Sequence, residues 1–208
     1  MIQENRMEVI FEFTSVSPED LWVYNKLQVA AMLNHICGPI GAPVPKCGWY
    51  IIKPIVTFLG MGRNARKIWL SPHDQTEKYG NRGEMWCEYF YGDHISVDYY
   101  KKHQILTVFG KKAENLSSCE ETRWAYWKKV DQNIPLPKIF HKICDKYGTI
   151  NAEYIGGNLI EVHLRKNPDF VWNNEVAIPV WEGEIINPPA NYRFVESPDY
   201  QRRGFYVK

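Results

Sequence analysis

Glu161, His163 and Arg165 alternate with Val162 and Leu164 late in the chain. On a strand, that period-two pattern puts Ile160, Val162 and Leu164 on one face and the three ionisable groups on the other. Gly156-Gly157-Asn158 reads as a hairpin loop, with Ile150 to Ile155 as the partner strand. A three-residue loop pairs Ile155 with Leu159 and sets Glu153 directly opposite Glu161, whereas a two-residue loop separates them. Opposed carboxylates repel unless something positive sits between them, and a hard divalent ion bound by carboxylate oxygens meets that need. The spacing therefore points to Glu153, Glu161 and His163 as metal ligands, with magnesium the natural ion. The alternative is the solvent-facing side of a half-buried sheet.

Lys53 interrupts Trp49-Tyr50-Ile51-Ile52-Lys53-Pro54-Ile55-Val56, a run that reads as a strand nearly apolar on both faces. A lysine held out of water needs an anion to remain charged, and a nucleotide phosphate would serve. An edge lysine whose head reaches solvent is the alternative. The loop Leu59 to Asn64 then offers Gly60 and Gly62, whose backbone N–H groups are unobstructed, beside the cation of Arg63. Such a loop can cover phosphates, although Gly-x-Gly alone is a weak signature and neither a Walker loop nor a Rossmann fingerprint is present. Lys26 is a further basic residue in an apolar setting, on one helical stripe with Trp22, Val29, Leu33 and Ile36.

Capping residues and periodicity predict the elements that position these groups. A short strand is expected over Met7 to Thr14. One helix should start at Ser17, with Pro18 in its first position, Glu19 and Asp20 at its positive end, and Gly38 just beyond its C-terminus. Ile68-Trp69-Leu70 offers a returning strand, and Met85 to Phe90, Ile95 to Tyr99 and Ile105 to Phe109 offer more. Helical patterns cover Arg123 to Val130 and Leu136 to Tyr147, the second ended by Gly148. Residues from Asn167 onward carry no clear pattern and read as a wrapping arm or lid.

With 208 residues, 45% apolar and 24% charged, the chain suits one large domain or two small lobes around a cleft, and neither disorder nor a fibrous class fits. Its 25 basic and 24 acidic residues leave a net charge of +1, so any phosphate site must be local. Five scattered cysteines without a Cys-x-x-Cys pair argue against a disulfide framework or a zinc site. No apolar run approaches a membrane span and the N-terminus lacks the order of a signal peptide, so a cytoplasmic protein is expected.

A helical lysine, Ile-Ile-Lys-Pro, a glycine loop, a linker and a Glu-x-His-x-Arg strand follow one another in an order that resembles the ATP-grasp superfamily, in a reduced form lacking most of the domain that normally comes first. Lys53-Pro54 is similar to the family's second phosphate lysine, and Lys26, in Tyr24-Asn25-Lys26, to its first. Glu88-Tyr89-Phe90-Tyr91-Gly92-Asp93-His94-Ile95-Ser96-Val97-Asp98 resembles the hinge that contacts adenine and ribose. His94 falls where the family has its ribose-binding glutamate, with Asp93 as a substitute beside it. Glu153 and Glu161-Val162-His163-Leu164-Arg165 resemble the family's metal residues, His163 standing where asparagine is usual.

The resemblance implies an α+β, ATP-grasp fold in which two small α/β lobes with mostly antiparallel sheets grip a nucleotide cleft. Its parts would be an N-terminal strand and linker (1–20), a small lobe (21–84), a hinge and large lobe (85–166), and a C-terminal arm or lid (167–208). It implies a ligase dependent on ATP and Mg2+, with Mn2+ an alternative ion, that joins a small-molecule or peptide carboxylate to an amine through an acyl phosphate. Lys53 and Arg165 would be catalytic, and Glu153, Glu161 and His163 would bind the metal. Lys26, Lys53, Gly60, Gly62, Arg63, Glu88, Tyr89, Phe90, Tyr91, Asp93 and His94 would bind the nucleotide. The acceptor would be held by the C-terminal tail, by the second subunit of a homodimer or by a partner protein, and neither a membrane nor nucleic acid is an expected partner. The rival implication is a regulatory or assembly module that binds nucleotide without ligase activity.

Overall fold

The computed structural model describes residues 14–56, 64–113, 124–199 and 201–208. The strand expected over Met7 to Thr14 therefore falls, but for Thr14, outside the described residues, as does the glycine loop with Gly60, Gly62 and Arg63. The fold is α+β and rests on two antiparallel sheets. The smaller holds β1 (Cys37–Pro39), β2 (Gly48–Pro54), β3 (Arg66–Leu70) and β4 (Glu84–Glu88), in the order β1-β4-β2-β3. The larger holds β5 (His94–Tyr100), β6 (His103–Lys112), β7 (Trp124–Lys129), β8 (Thr149–Ile155), β9 (Asn158–His163), β10 (Val176–Trp181), β11 (Arg193–Asp199) and β12 (Arg202–Val207), in the order β11-β12-β10-β7-β6-β5-β8-β9. No helix among the described residues is long and apolar enough to cross a membrane, and the four described cysteines are free thiols.

Strand alternation sends Val97, Tyr99, Ile150, Ala152 and Val162 to one face of the large sheet, where they are buried. Phe140 and, from the helix α2 (His141–Tyr147) that follows it, Ile143 close that core; α2 ends at Gly148 with φ 79°. Helix α1 (Lys26–Met32) belongs to both halves: its Val29 joins the large-sheet core, while Ala30 packs on Met85 and Cys87 of the small sheet. The opposite face of the large sheet looks toward β2 and β4 across a cleft.

Several elements differ from the sequence expectation. The helix expected from Ser17 is broken: a 3-10 helix covers Pro18–Tyr24, and α1 begins afresh because the Asn25 side chain accepts the Gln28 N–H at 2.9 Å. Ser17 makes no side-chain cap. Gly38 lies in β1 rather than at a helix end, and a side chain there would meet the Trp86 ring. β4 belongs to the small sheet, so the connection between sheets is Tyr89 to Asp93. The segment from 167, expected as a wrapping arm or lid, supplies β10, β11 and β12 to the large sheet.

The segment Arg123 to Val130, expected as a helix, contains strand β7, paired with β6 on one side and β10 on the other. Its aromatic residues suit a pleated surface, and neighbouring strands override the apparent helical period. That period has a structural origin: Tyr126 pairs with Lys111 and Trp124 with Lys112, so Ala125 is an extra residue on β7. The irregularity brings Trp124 and Trp127 together, with ring centroids 4.6 Å apart. Gly110 lies opposite Trp127, and a Cβ there would sit 2.6 Å from its ring. Without that side chain the indole lies across β6, edge-on to His94 at 5.3 Å.

Gly110→Val should therefore displace the Trp127 ring and destabilise the fold by about 1–3 kcal/mol, the usual cost of overpacking. Urea midpoints, with tryptophan emission as the probe, check this.

Candidate functional site

The hairpin of β8 and β9 turns on two residues, Gly156 and Gly157, since Ile155 pairs with Asn158. Simple register would then part the two carboxylates. Instead Tyr154 pairs with Leu159 and Glu153 with Glu161, so Ile160 is an extra residue on β9 and the glutamates stand opposite each other after all. The same slip removes Ile160 from the apolar face where alternation would put it; Leu159 and Val162 fill the core. The main-chain carbonyl of Ile160 accepts a hydrogen bond from Lys53 Nζ on β2 at 3.2 Å.

Both glutamates meet basic side chains. Lys26 Nζ lies 3.0 Å from Glu161 Oε1, with side chains 8% and 15% exposed, and His163 Nε2 lies 3.6 Å from the same oxygen. Burial alone would raise the Glu161 carboxyl, but the Lys26 charge, seconded by His163 and Lys53, holds it well below its ordinary range. Glu153 accepts from His94 Nε2 at 3.1 Å. There too burial pushes upward, and the His94 hydrogen bond and charge prevail and keep the carboxyl low. Desolvation lowers the Lys53 ammonium, against the raising charge of Glu161.

Asn151 pairs with His163 across the same strands, and its Nδ2 donates to Ser96 Oγ and Asp98 Oδ1, both at 2.8 Å. Asn167 closes this network, its backbone N–H donating to Asp98 Oδ1 at 2.9 Å. Burial raises the Asp98 carboxyl, and the Asn151 and Asn167 hydrogen bonds oppose that. Sequence reasoning missed this network and the tryptophans beside it; the alternation Ser96-Val97-Asp98 was its one visible trace.

A cavity of about 240 Å³ lies over these groups. Its lining brings together Lys53, Glu88, Tyr89, Phe90, His94, Glu153, Glu161, His163 and Arg165 from the expected set. Lys26 reaches Glu161 from α1, behind Ile160. One Glu88 oxygen is committed to the Ile36 N–H at 2.9 Å, and the Tyr89 N–H to the Trp49 carbonyl at 3.0 Å. Tyr91 and Asp93 are exposed and do not line the cavity. Tyr91 instead joins Trp49 and Tyr89 around Lys67, whose Nζ lies 4.0 to 4.9 Å from the three ring centres. The linker is fixed because Gly156, at φ +55°, presses its backbone on Tyr91 and Gly92, where any Cβ would clash. His94 is boxed edge-on by Trp124 at 4.5 Å as well as Trp127, and its buried Nδ1 has no partner among the described residues.

No protein-family model and no curated protein matches the chain. Solved structures do. The ATP-grasp ligase PsnB, complexed with a minimal precursor, aligns at 14% identity and TM-score 0.42 over 73% of this chain and 55% of that one. An L-amino acid ligase from Bacillus licheniformis aligns at 11% identity and TM-score 0.43 over 72% and 42%. The D-alanine–D-alanine ligase from Bacillus anthracis aligns at 10% identity and TM-score 0.39 over 73% and 59%. The aligned part spans about half the length of these chains.

Removing one partner of a buried ion pair leaves the other charge uncompensated, so Lys26→Met should cost about 3 kcal/mol, and the double change with Glu161→Leu should restore much of it. A carboxyl with a lowered folded pKa contributes stability that is present above its ordinary value of 4.5 and lost as pH falls through the folded one. Glu161→Gln should accordingly flatten the acid limb of a stability-versus-pH curve measured by urea unfolding.

Proposed function

We propose that this chain binds ATP in the cleft between its two sheets and uses it to join a carboxylate to an amine, in the manner of an ATP-grasp ligase. The observation that carries this reading is the meeting at β9 of two lysines from the small-sheet side, Lys26 and Lys53, with the opposed carboxylates Glu153 and Glu161. Lysines that approach a common strand suit a polyphosphate, as point charges on flexible stems. Magnesium is commonly held by one or two carboxylates together with nucleotide phosphates and water, not by a full protein cage. The donor set fits that habit in that two carboxylates stand opposite each other on β8 and β9. When bound, the ion would neutralise phosphate charge. Glu153 and Glu161 would hold it, while His163 is a softer donor better suited to pairing with Glu161.

In this reading the substrate carboxylate takes the terminal phosphoryl group of ATP, which gives an acyl phosphate and ADP. The amine nitrogen then attacks the acyl carbon, the bond to phosphate breaks, and the nitrogen's surplus protons pass to phosphate and solvent. Lys53 would orient the phosphates and Arg165 would stabilise negative charge as it builds, through positioning and electrostatics with no covalent work by the chain. Tyr89 and Phe90 would give the base an apolar bed.

A second reading, nucleotide binding without ligase activity, draws on the fact that both glutamates already have basic partners in the protein, Lys26 and His94. Calorimetric titration with ATP and magnesium tests the shared part. Lys53→Ala should weaken binding about tenfold to a hundredfold, the worth of one charge-assisted contact. No binding by the native chain would overturn both readings. Release of ADP on screening pairs of carboxylates and amines then separates the ligase from the silent module.

A further inference from the structure

Strand β3 is an outer strand of the small sheet: it pairs with β2, and no strand pairs with its other side among the described residues. The backbone groups on that side follow from the register. The Tyr89 N–H donates to the Trp49 carbonyl and the Ile55 N–H to the Gly83 carbonyl, so Trp49, Ile51, Lys53 and Ile55 turn their backbone toward β4, and Tyr50 and Ile52 turn theirs toward β3. Ile68 and Arg66, opposite those two, complete the β2–β3 ladder, which leaves the N–H and C=O of Lys67 and Trp69 pointing outward. Natural sheets usually blunt such an edge. The outer strands β1 and β11 carry Pro39 and Pro198, and β9 has its Ile160 carbonyl bonded by Lys53. Strand β3, Arg-Lys-Ile-Trp-Leu, contains no proline.

Lys67 and Trp69 also send their side chains to the cleft face. Opposed residues share a face, and Ile51, opposite Lys67, lines the cavity. Trp69 lies edge-on to Trp49 at 5.5 Å, and Lys67 Nζ rests over the rings of Trp49, Tyr89 and Tyr91. The described residues give that ammonium rings but no carboxylate. Trp49, Trp69 and Tyr91 are 44%, 54% and 64% exposed, a large aromatic area left in water. The row leads inward, because Ala65, one residue before β3, lines the cavity together with Lys53.

Unpaired edge groups, exposed aromatic rings and an ammonium without a counterion beside them suit one class of occupant, an extended peptide with acidic and apolar side chains. We infer that the outer edge of β3 docks the carboxylate substrate as a peptide strand, added antiparallel like every other pair in this sheet, with its C-terminal carboxylate leading into the cavity. Strand β3 begins at the cavity, so an antiparallel partner ends there. The peptide residues opposite Trp69 and Lys67 make the main-chain hydrogen bonds and share the cleft face. An aromatic or aliphatic side chain lies on Trp69 and, two residues nearer the C-terminus, a carboxylate meets Lys67. Resting on the ligase reading, this names the class of its first substrate.

Calorimetric titration of the protein with the peptide acetyl-Thr-Phe-Thr-Glu-Thr-Ala, with and without saturating magnesium and a non-hydrolysable ATP analogue, tests the docking strand. Saturable binding is expected, weakened about tenfold in Lys67→Ala and in Trp69→Thr. N-methylation of the peptide's Phe and Glu nitrogens, which face β3, should abolish it, whereas N-methylation of the Thr between them should not. Analogue binding by each variant is the check on folding, and a variant that fails that check is replaced by Lys67→Gln. No binding, binding indifferent to the substitutions, an equal effect of the two methylations, or preference for the reversed sequence acetyl-Ala-Thr-Glu-Thr-Phe-Thr overturns the proposal. So does a chain that sediments as a dimer and becomes a monomer in Trp69→Thr, because a second copy then occupies the edge. Peptide binding without analogue binding would sustain the docking strand and sink the nucleotide reading, and analogue binding without peptide binding does the reverse.

Discussion

A carboxylate taken out of water keeps its charge only if a cation stays beside it, and much of this molecule is arranged around that need at Glu161. Lys26 meets it from α1, a helix whose Val29 and Ala30 join apolar clusters of the large and the small sheet. Lys53 adds its field from β2 while its ammonium rests on the Ile160 carbonyl. Strand β9, at the edge of the large sheet, is thereby tied to α1 and β2 by polar contacts as well as by the apolar core its Leu159 and Val162 share with Val29. A site held together by charge is also one that a charged ligand can compete for, because phosphates and a divalent ion offer the same lysines and carboxylates alternative partners.

Register irregularities aim the side chains that matter. The extra residue Ile160 restores the opposition of Glu153 and Glu161 that a two-residue turn would abolish. Ala125 puts two tryptophans beside His94, and Arg203, unpaired against β10, sets Arg202 opposite Trp181. Each adds one unpaired residue to a ladder, and each re-aims a group onto the cleft face. Between them runs the hydrogen-bond network of Ser96, Asp98, Asn151 and Asn167, which ties β5 and β8 to the turn at Asp169. The two ends of the cleft are thus connected through hydrogen bonds.

The sequence by itself determined the main strands, because alternation and turn residues act locally: β2, β5, β6 and the β8–β9 hairpin all fall where their patterns put them. It also marked Lys26, Lys53, Glu153 and Glu161, since a charge in an apolar run is conspicuous without knowing its partner. Four things only the tertiary structure decided. The segment around Trp124 became a strand because β6 and β10 supplied hydrogen bonds on both sides, which no local propensity announces. The pattern-poor residues after Asn167 became three strands of the large sheet for the same reason. The opposition of the two glutamates came from a slipped residue in a two-residue hairpin, and the partners Lys26, His94 and Arg202 were chosen by contacts between residues far apart in the chain, where spacing along the sequence carries no information.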